Sequence, residues 1–212
     1  MLTKLKKQVQ QLLSSEANVA HKAGLTPNIV TIIGFALAFL AALAYAVTSN
    51  EQPLWLLAAV LLLMISGFCD TLDGILARTY NQASVIGGFL DSLLDRYADA
   101  FVLGGIIVSG LCNIFAGLAA LASSLMVSYS RARAEAAGIK MESIGIAERP
   151  ERIIILAVFS LVAIFWLPAL NIGVIIIAVL ATVTVLQRGF HVYKVLKHKE
   201  ENKSNEKITI GA

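Results

Sequence analysis

Charged residues are scarce in this chain. They make up 15% of its 212 residues, whereas 58% of the residues are hydrophobic and the mean hydropathy is +0.77. A soluble domain of this size carries more polar residues, so the composition excludes a soluble globular fold. What remains is one all-α integral membrane domain, built as a bundle of apolar helices.

Long apolar runs divide the chain into predicted spans. A hydrocarbon core takes about 20 helical residues, and about six runs approach that length: Ile29–Val47, Leu54–Asp73, Val85–Ser109, Ile114–Ala134, Ile153–Leu167 and Ile172–Gln187. Between the last two, Pro168 and Asn171 favour a turn. We therefore predict about six transmembrane helices within a domain at residues 25–190.

Proline and cysteine are also rare, and their few positions agree with this division. All four prolines lie at predicted span boundaries, where a missing N–H does no harm: Pro27, Pro53, Pro150 and Pro168. The two cysteines, Cys69 and Cys112, fall near opposite ends of the predicted bundle. A disulfide between them is therefore not expected, and packing roles are.

Lysine and arginine are missing from every second predicted loop, near Thr48–Gln52, Gly110–Asn113 and Pro168–Asn171. All of them fall on the other side of the membrane except Arg96, which lies within a span. The positive-inside rule then places both termini and the loops at residues 74–84 and 135–152 at the cytoplasmic face of the cell membrane.

The two ends of the chain have their own composition. Residues 1–24 carry apolar side chains at helical spacing with lysines among them, which predicts an amphipathic helix on the cytoplasmic leaflet; a frayed polar N-terminus is the alternative. The apolar positions are Leu2, Leu5, Val9, Leu12 and Leu13. Residues 191–212 have mixed charge, which predicts a mobile cytoplasmic tail.

Against the apolar background, carboxylates cluster between residues 70 and 99. Asp70 and Asp73 are three residues apart and Asp91 and Asp95 four, so each pair projects from one helix face. A charged side chain at membrane depth costs at least about 2.5–3.5 kcal/mol, and oxygen ligands suit Mg²⁺ or Mn²⁺. We predict a metal site. Helix-capping acids beside a loop would explain one carboxylate but not the set.

Small residues separate the two acidic pairs and admit a bulky group close to the backbone. These are Gly74, Ala77, Gly87 and Gly88. Arg78 follows at the polar boundary. Carboxylates, divalent cations, bare backbone and an arginine together indicate a site for a diphosphate, whose charge the metals and the arginine would balance.

The acidic stretch resembles the signature of the CDP-alcohol phosphotransferases, membrane enzymes of phospholipid synthesis. The matching positions are Asp70-x2-Asp73-Gly74-x2-Ala77-Arg78-x8-Gly87-x3-Asp91-x3-Asp95. The resemblance implies a homodimer and two metal ions held by the four aspartates. It also implies that Asp95 is the general base, a role that competes with that of a pure metal ligand.

The same resemblance implies a set of contacts to a CDP-lipid. The set comprises Thr26, Pro27, Asn28, Ile29, Asp70, Gly74, Arg78, Ser84 and Gly87. From the residues alone, Thr26 or Asn28 fits a helix cap equally well, and both roles can hold together.

A second polar group lies at the predicted end of the fourth span and beyond. Ser128 and Arg131 share a helical face, Arg149 precedes a helix that starts with proline, and Arg188 ends the last span. Such residues suit an anion pocket, although topology signals or headgroup contacts would explain any single arginine.

Two segments around these residues are similar to the phosphatidylinositol-phosphate and archaetidylinositol-phosphate synthase branch. They read Ser-Tyr-Ser-Arg-Ala-Arg-Ala-Glu and Glu-Arg-Pro-Glu-Arg. The resemblance implies that Ser128, Arg131, Arg149 and Arg188 bind the acceptor's phosphate, with Arg152 an alternative to Arg149. No role follows for Arg96 or Asp99.

The predicted function is transfer of a phosphatidyl-type group from CDP-diacylglycerol or CDP-archaeol to inositol phosphate, with release of CMP. Glycerol phosphate, serine or another alcohol is the alternative acceptor. A divalent-cation or proton transporter is the remaining alternative, but it would need neither a nucleotide-sized gap nor an arginine. Membrane lipids are expected partners, and nucleic acid is not.

Overall fold

Seven α-helices form the described part of the chain, which the computed structural model covers at residues 14–49, 54–141 and 144–210. In chain order they are α1 Ser14–Lys22, α2 Pro27–Val47, α3 Leu54–Thr79, α4 Val85–Val108, α5 Ile114–Ala136, α6 Arg149–Ala163 and α7 Pro168–Ile210. This all-helical architecture agrees with the predicted fold class.

Four of the described helices are long and apolar enough to cross a membrane: α2, α3, α5 and Pro168–His198 of α7. α4 carries Asp91, Asp95, Arg96 and Asp99, and α6 has only 15 residues. The charges of α4 and the short length of α6 each weaken the hydropathy evidence that these helices cross the membrane. Four candidate spans are therefore established, and six remains a prediction.

Side-chain caps fix where the helices around the acidic stretch begin. Thr26 Oγ1 accepts a hydrogen bond from the backbone N–H of Ile29 at 3.4 Å, with Pro27 in the first turn of α2. Ser84 Oγ accepts one from the N–H of Gly87 at 3.0 Å at the start of α4. Hydroxyl caps satisfy donors that lack an intrahelical partner, so Thr26 does act as a cap.

Three of the four prolines lie where the sequence predicts a boundary. Pro27 and Pro150 fall in the first turns of α2 and α6, and Pro168 begins α7. Pro53 lies outside the described residues. Proline suits the first turn because its missing N–H has no intrahelical partner there.

The helices pack as two groups joined in the middle. α2 packs against α3 and α4, α7 packs against α5 and α6, and contacts of α3 with α6 and of α4 with α5 join the groups. Helix α4 approaches α2 closely at Gly105, where a Cβ would lie 2.3 Å from Ala42 O. A buried pair of hydroxyls, Tyr45 and Ser160, joins α2 to α6 at 2.7 Å.

The short helix α1 packs against the end of α3 that carries the acidic motif. Ala17 is buried in a cluster with Cys69, and the His21 ring stacks on Tyr80 with centroids 3.7 Å apart. Residues 1–13 of the predicted interfacial helix lie outside the described residues. Its position on the leaflet stays a prediction.

The last helix is one continuous element of 43 residues. It passes the predicted domain boundary at residue 190 without a break and continues to Ile210. The predicted mobility of residues 191–212 stays a prediction.

Candidate active site

Three of the predicted metal ligands converge from two helices. Asp70 on α3 and Asp91 and Asp95 on α4 each offer a carboxylate oxygen, and these oxygens lie within 4.8 Å of one another. Asp91 Oδ1 is buried without a hydrogen-bond partner among the described residues. Buried unpaired oxygens are unfavourable, and converging carboxylates repel, so the donor set fits a divalent cation.

The fourth predicted ligand, Asp73, is held at the edge of this cluster by a residue that sequence reasoning missed. Thr31 Oγ1 on α2 donates a hydrogen bond of 2.6 Å to Asp73 Oδ2, and Asp73 is only 6% exposed. Together with the other three aspartates, both residues line one small cavity, hereafter the carboxylate cavity. The sequence offered one signal for Thr31, namely a hydroxyl side chain within the otherwise apolar run Ile29–Val47.

Arg149, in the first turn of α6, reaches into the same cavity. Its Nη1 lies 2.9 Å from Asp70 Oδ1 and 2.5 Å from Asp95 Oδ1. Neither approach has hydrogen-bond geometry, so both are ion pairs. The side chain is 14% exposed. The sequence placed Arg149 among the acceptor-phosphate ligands, and the structure also brings it against the carboxylates.

Arg152 lies one helical turn further along α6 and is buried. Its Nη1 donates to Ala147 O at 3.0 Å, and its Nη2 donates to Asp99 Oδ2 at 2.5 Å. Of the two arginines that the sequence could not separate, Arg149 contacts Asp70 and Asp95, whereas Arg152 is bonded to Asp99 and Ala147.

A second cavity, of about 210 Å³, opens between the starts of α2 and α4 and the end of α3. We call it the glycine-lined cavity. Six residues of the predicted CDP-lipid set line it: Pro27, Asn28, Gly74, Arg78, Ser84 and Gly87. Thr26 and Ile29 are joined by the α2 cap and do not line the cavity, and Asp70 lines the carboxylate cavity instead.

The two motif glycines in this cavity leave room for particular neighbours. A Cβ at Gly74 would lie 3.3 Å from Arg78 Nη2, so the missing side chain admits the guanidinium. A Cβ at Gly87 would lie 2.7 Å from Asn28 Oδ1 and 2.9 Å from Ser84 Oγ. Glycine at both positions therefore keeps polar side chains close to the backbone.

A third cavity, of about 220 Å³, lies between the end of α5, the start of α6 and α7. We call it the arginine-lined cavity. All four residues predicted for the acceptor phosphate line it: Ser128, Arg131, Arg149 and Arg188. Arg131 Nε also pairs with Glu135 Oε1 at 2.9 Å on the half-exposed surface of α5.

Arg188 is the most buried of this set, at 1% exposed. It donates to the carbonyl oxygens of Ile144 and Val127 at 2.8 and 2.5 Å, and to Glu148 Oε1 at 3.0 Å. These bonds tie α7 to α5 and to the loop before α6. Sequence reasoning gave Glu148 no role, and no local signal identified it, because its partner lies 40 residues away.

The carboxylate cavity lies between the other two and shares a wall with each. Thr31, Asp73 and Asp91 line both the carboxylate and the glycine-lined cavities. Asp70, Asp95 and Arg149 line both the carboxylate and the arginine-lined cavities. The arrangement can therefore hold two ligands on opposite sides of one acidic centre.

Comparison with known proteins gives a consistent result. The CDP-alcohol phosphatidyltransferase family model matches residues 24–186. The chain is 42% identical over 197 residues to an archaetidylinositol phosphate synthase of Pyrococcus horikoshii, covering 93% of this chain and 99% of that protein. It is 37% identical over 182 residues to a phosphatidylinositol phosphate synthase of Mycolicibacterium smegmatis, covering 81% and 79%.

Two solved structures of the Mycobacterium tuberculosis phosphatidylinositol phosphate synthase are similar to the fold. The one with CDP-DAG bound has a TM-score of 0.72 at 31% identity, and covers 86% of this chain and 94% of that chain. The complex with manganese and citrate has a TM-score of 0.71 at 32% identity, and covers 85% and 88%.

Proposed function

Because the chain belongs to the CDP-alcohol phosphatidyltransferase family, we propose that it is a metal-dependent enzyme of phospholipid synthesis. It transfers a phosphatidyl-type group, with diacylglycerol or archaeol as the lipid, from a CDP-lipid to inositol phosphate and releases CMP. Relatives at 34–42% identity that are named phosphatidylinositol phosphate or archaetidylinositol phosphate synthases support this acceptor.

The observation that carries this proposal is the shared acidic wall between two cavities. A CDP-lipid in the glycine-lined cavity and a phosphorylated acceptor in the arginine-lined cavity would meet at the carboxylates. Holding two reactants in line at one centre removes much of the entropic barrier to their reaction.

The aspartates would hold the metal, for which we propose two Mg²⁺ or Mn²⁺ ions. Asp70, Asp91 and Asp95 converge, and Asp73, held by Thr31, lines the same cavity. When bound, the metal balances the charge of the diphosphate and stabilises the phosphate that leaves with CMP. Carboxylate ligands alone suit these hard cations, and a similar structure holds manganese.

On the donor side, α2, α3 and α4 provide the CDP-lipid contacts. Arg78 at the end of α3 would pair with the diphosphate, and Asn28, Ser84, Gly74 and Gly87 form the wall around it. Thr26 and Ile29 hold the start of α2 in place beside this cavity. Both glycines line the cavity without a side chain, which leaves room for a flat nucleotide and its phosphates.

Replacing Gly87 by alanine should raise the KM for CDP-lipid about fivefold or more, because overpacking is unfavourable and the new Cβ would displace Asn28 or Ser84. Gly104→Ala is the matched control, since Gly104 lies on the same helix, lines none of the three cavities and has nothing within 4 Å of a Cβ. KM values for both substrates should be measured for each variant. Equal KM values for CDP-lipid in the two variants would contradict the assignment.

On the acceptor side, Asp95 is the proposed general base. It lines the cavity that would receive inositol phosphate. The acceptor hydroxyl oxygen would bond to the lipid-side phosphorus, the bond from that phosphorus to the oxygen retained by CMP would break, and the hydroxyl proton would pass to Asp95. Ser128, Arg131, Arg149 and Arg188 would hold and balance the acceptor's phosphate.

The proposed enzyme sits in the cell membrane with its site at the cytoplasmic face. α4 and α6 would complete six spans with the four apolar helices, and both termini would be cytoplasmic together with the lysines and arginines. A lipid then keeps its tail in the bilayer while its headgroup meets a water-soluble acceptor. We also propose a homodimer, following the family resemblance.

The test of the proposed function is CMP release from CDP-diacylglycerol or CDP-archaeol with one acceptor at a time. Inositol phosphate should support turnover, whereas inositol should not, because it lacks the phosphate that the arginines of this cavity would bind. Preference for glycerol phosphate would place the protein in a different branch of the same family. Equal rates with inositol and inositol phosphate would rule out the arginine-lined cavity as a phosphate pocket.

Arg131→Ala should raise the KM for inositol phosphate about tenfold to a hundredfold and leave the KM for CDP-lipid unchanged. A charge-assisted hydrogen bond contributes about 1.5–3 kcal/mol, and each factor of ten in affinity is about 1.4 kcal/mol. Arg133→Ala is the control, because Arg133 is exposed on the same helix and does not line the cavity. A similar KM increase in both variants would indicate a general charge effect.

A further inference from the structure

Asp99 is an acidic residue that the proposed mechanism does not use. It lies on α4 one turn beyond Asp95, and its side chain is 15% exposed. Its carboxylate stands between two guanidinium groups of α6. Arg152 Nη2 donates to Oδ2 at 2.5 Å, and Arg149 Nε lies 3.6 Å from Oδ1.

Arg152 bonds to Asp99 and to the loop before α6, and it also lines the arginine-lined cavity. Its side chain is 6% exposed, and it donates to both Ala147 O and Asp99 Oδ2. Buried charges need a paired and hydrogen-bonded partner. Arg152 therefore fixes the Asp99 carboxylate in one orientation, and it does so from the same helix that carries Arg149.

Arg149 is surrounded by acidic groups on two sides. Its Nη1 faces Asp70 and Asp95, and its Nε faces Asp99. Asp70 and Asp95 belong to the transfer centre, where they are assigned to the metal and to the acceptor proton. Asp99 has neither of these roles, so its charge is available to orient the guanidinium of Arg149.

We propose that Asp99, fixed by Arg152, is a positioning residue that aims Arg149 into the wall shared by the carboxylate and arginine-lined cavities. The inference rests on the proposed function, since it assigns Asp99 an effect on acceptor affinity that is exerted through Arg149. Asp99 also borders the arginine-lined cavity, so a direct contact with the acceptor is the outcome that the experiment must separate.

The test is a double-mutant cycle on KM. Asp99→Asn should raise the KM for inositol phosphate about fivefold or more, and change the KM for CDP-lipid less than twofold. In an Arg149→Lys background, which lacks Nε, Asp99→Asn should add less than a twofold change. If the full effect of Asp99→Asn persisted in that background, Asp99 would contact the acceptor itself and the proposal would be wrong.

A second variant separates positioning from folding. Asp99→Asn leaves the buried Arg152 charge unpaired and will lower the Tm, whereas Asp99→Asn with Arg152→Gln removes both charges. Because Arg152 also lines the arginine-lined cavity, Arg152→Gln alone is measured beside the double variant. The double variant should recover Tm but keep a KM for inositol phosphate at least as high as that of Asp99→Asn. If both the KM for inositol phosphate and the Tm returned to their wild-type values, the Asp99–Arg152 pair would have only a structural role and the proposal would be wrong.

Tyr45→Phe is the matched control, since it removes the buried hydroxyl pair with Ser160, another link to α6, away from the cavities. It should lower Tm and leave both KM values unchanged. The wild-type protein is measured first with inositol phosphate. Absence of turnover there overturns the proposed function, whereas normal turnover with no KM difference in Asp99→Asn overturns only the positioning role.

Discussion

Asp91→Asn should lower the rate of CMP release about a thousandfold. Asp91 lines the wall between the carboxylate and glycine-lined cavities, and its Oδ1 is buried without a partner among the described residues. Metal stabilisation of a reacting phosphate contributes several kcal/mol, and about 1.4 kcal/mol corresponds to each factor of ten in rate. The loss should coincide with weaker Mn²⁺ binding, which calorimetry on the purified protein can measure.

Chelation provides an independent form of the same test. Excess EDTA should abolish turnover of the wild-type protein, and added Mg²⁺ or Mn²⁺ should restore it. Glu135→Gln is the control substitution, since this carboxylate pairs with Arg131 on the surface of α5 and lines none of the three cavities. It should not change the metal dependence. Full turnover in excess EDTA would end the metal assignment.

Asp95→Asn should lower kcat about 10² to 10⁴-fold while CDP-lipid binding stays nearly unchanged, which is the range for losing a general base. The amide oxygen of asparagine is still a weak metal ligand, but it does not accept a proton near neutral pH. The measurement pairs kcat with direct binding of CDP-lipid and of Mn²⁺.

Asp70→Asn is the comparison that makes this prediction specific. Asp70 and Asp95 both line the carboxylate and arginine-lined cavities, and both contact Arg149 Nη1. If Asp95 is the base, Asp70→Asn should weaken Mn²⁺ binding more and Asp95→Asn should reduce kcat more. Parallel losses of binding and rate in both variants would make Asp95 a metal ligand only.

Much of the acidic centre could be predicted because it depends on local spacing. The pairs Asp70 with Asp73 and Asp91 with Asp95 follow directly from helix periodicity, and the structure brings three of these four carboxylates together. Asp73 lines the same cavity, and its carboxylate accepts a hydrogen bond from Thr31, 42 residues away. A hydrogen bond between helices depends on how those helices pack, and spacing along one helix does not reveal it.

The arginines illustrate the same limit. Composition and boundary position predicted that Arg131, Arg149 and Arg188 gather near one surface, and all three line one cavity. That Arg149 also contacts Asp70 and Asp95 depends on how α6 packs against α3 and α4. A charged helical turn precedes the apolar run predicted from Ile153, and α6 begins at Arg149, one residue before the proline predicted to start it.

Span counting was limited for a related reason. Hydropathy counts a helix by its average composition, and α4 combines an apolar outer face with Asp91, Asp95 and Asp99. A helix of this kind can border a polar cavity on one side and lipid on the other. Asp91 and Asp95 line the carboxylate cavity, and the same charges lower the hydropathy by which a span is recognised.

The length of α7 has a practical consequence for handling the protein. At about 1.5 Å per residue, a helix of 43 residues is roughly 65 Å long, about twice the hydrocarbon thickness of a bilayer. A tag or fluorophore attached after Ile210 would stand tens of ångströms from the entrance of the arginine-lined cavity. Helix α1, in contrast, packs against the end of α3 that carries the acidic motif, so purification handles and distance probes belong at the C-terminal end.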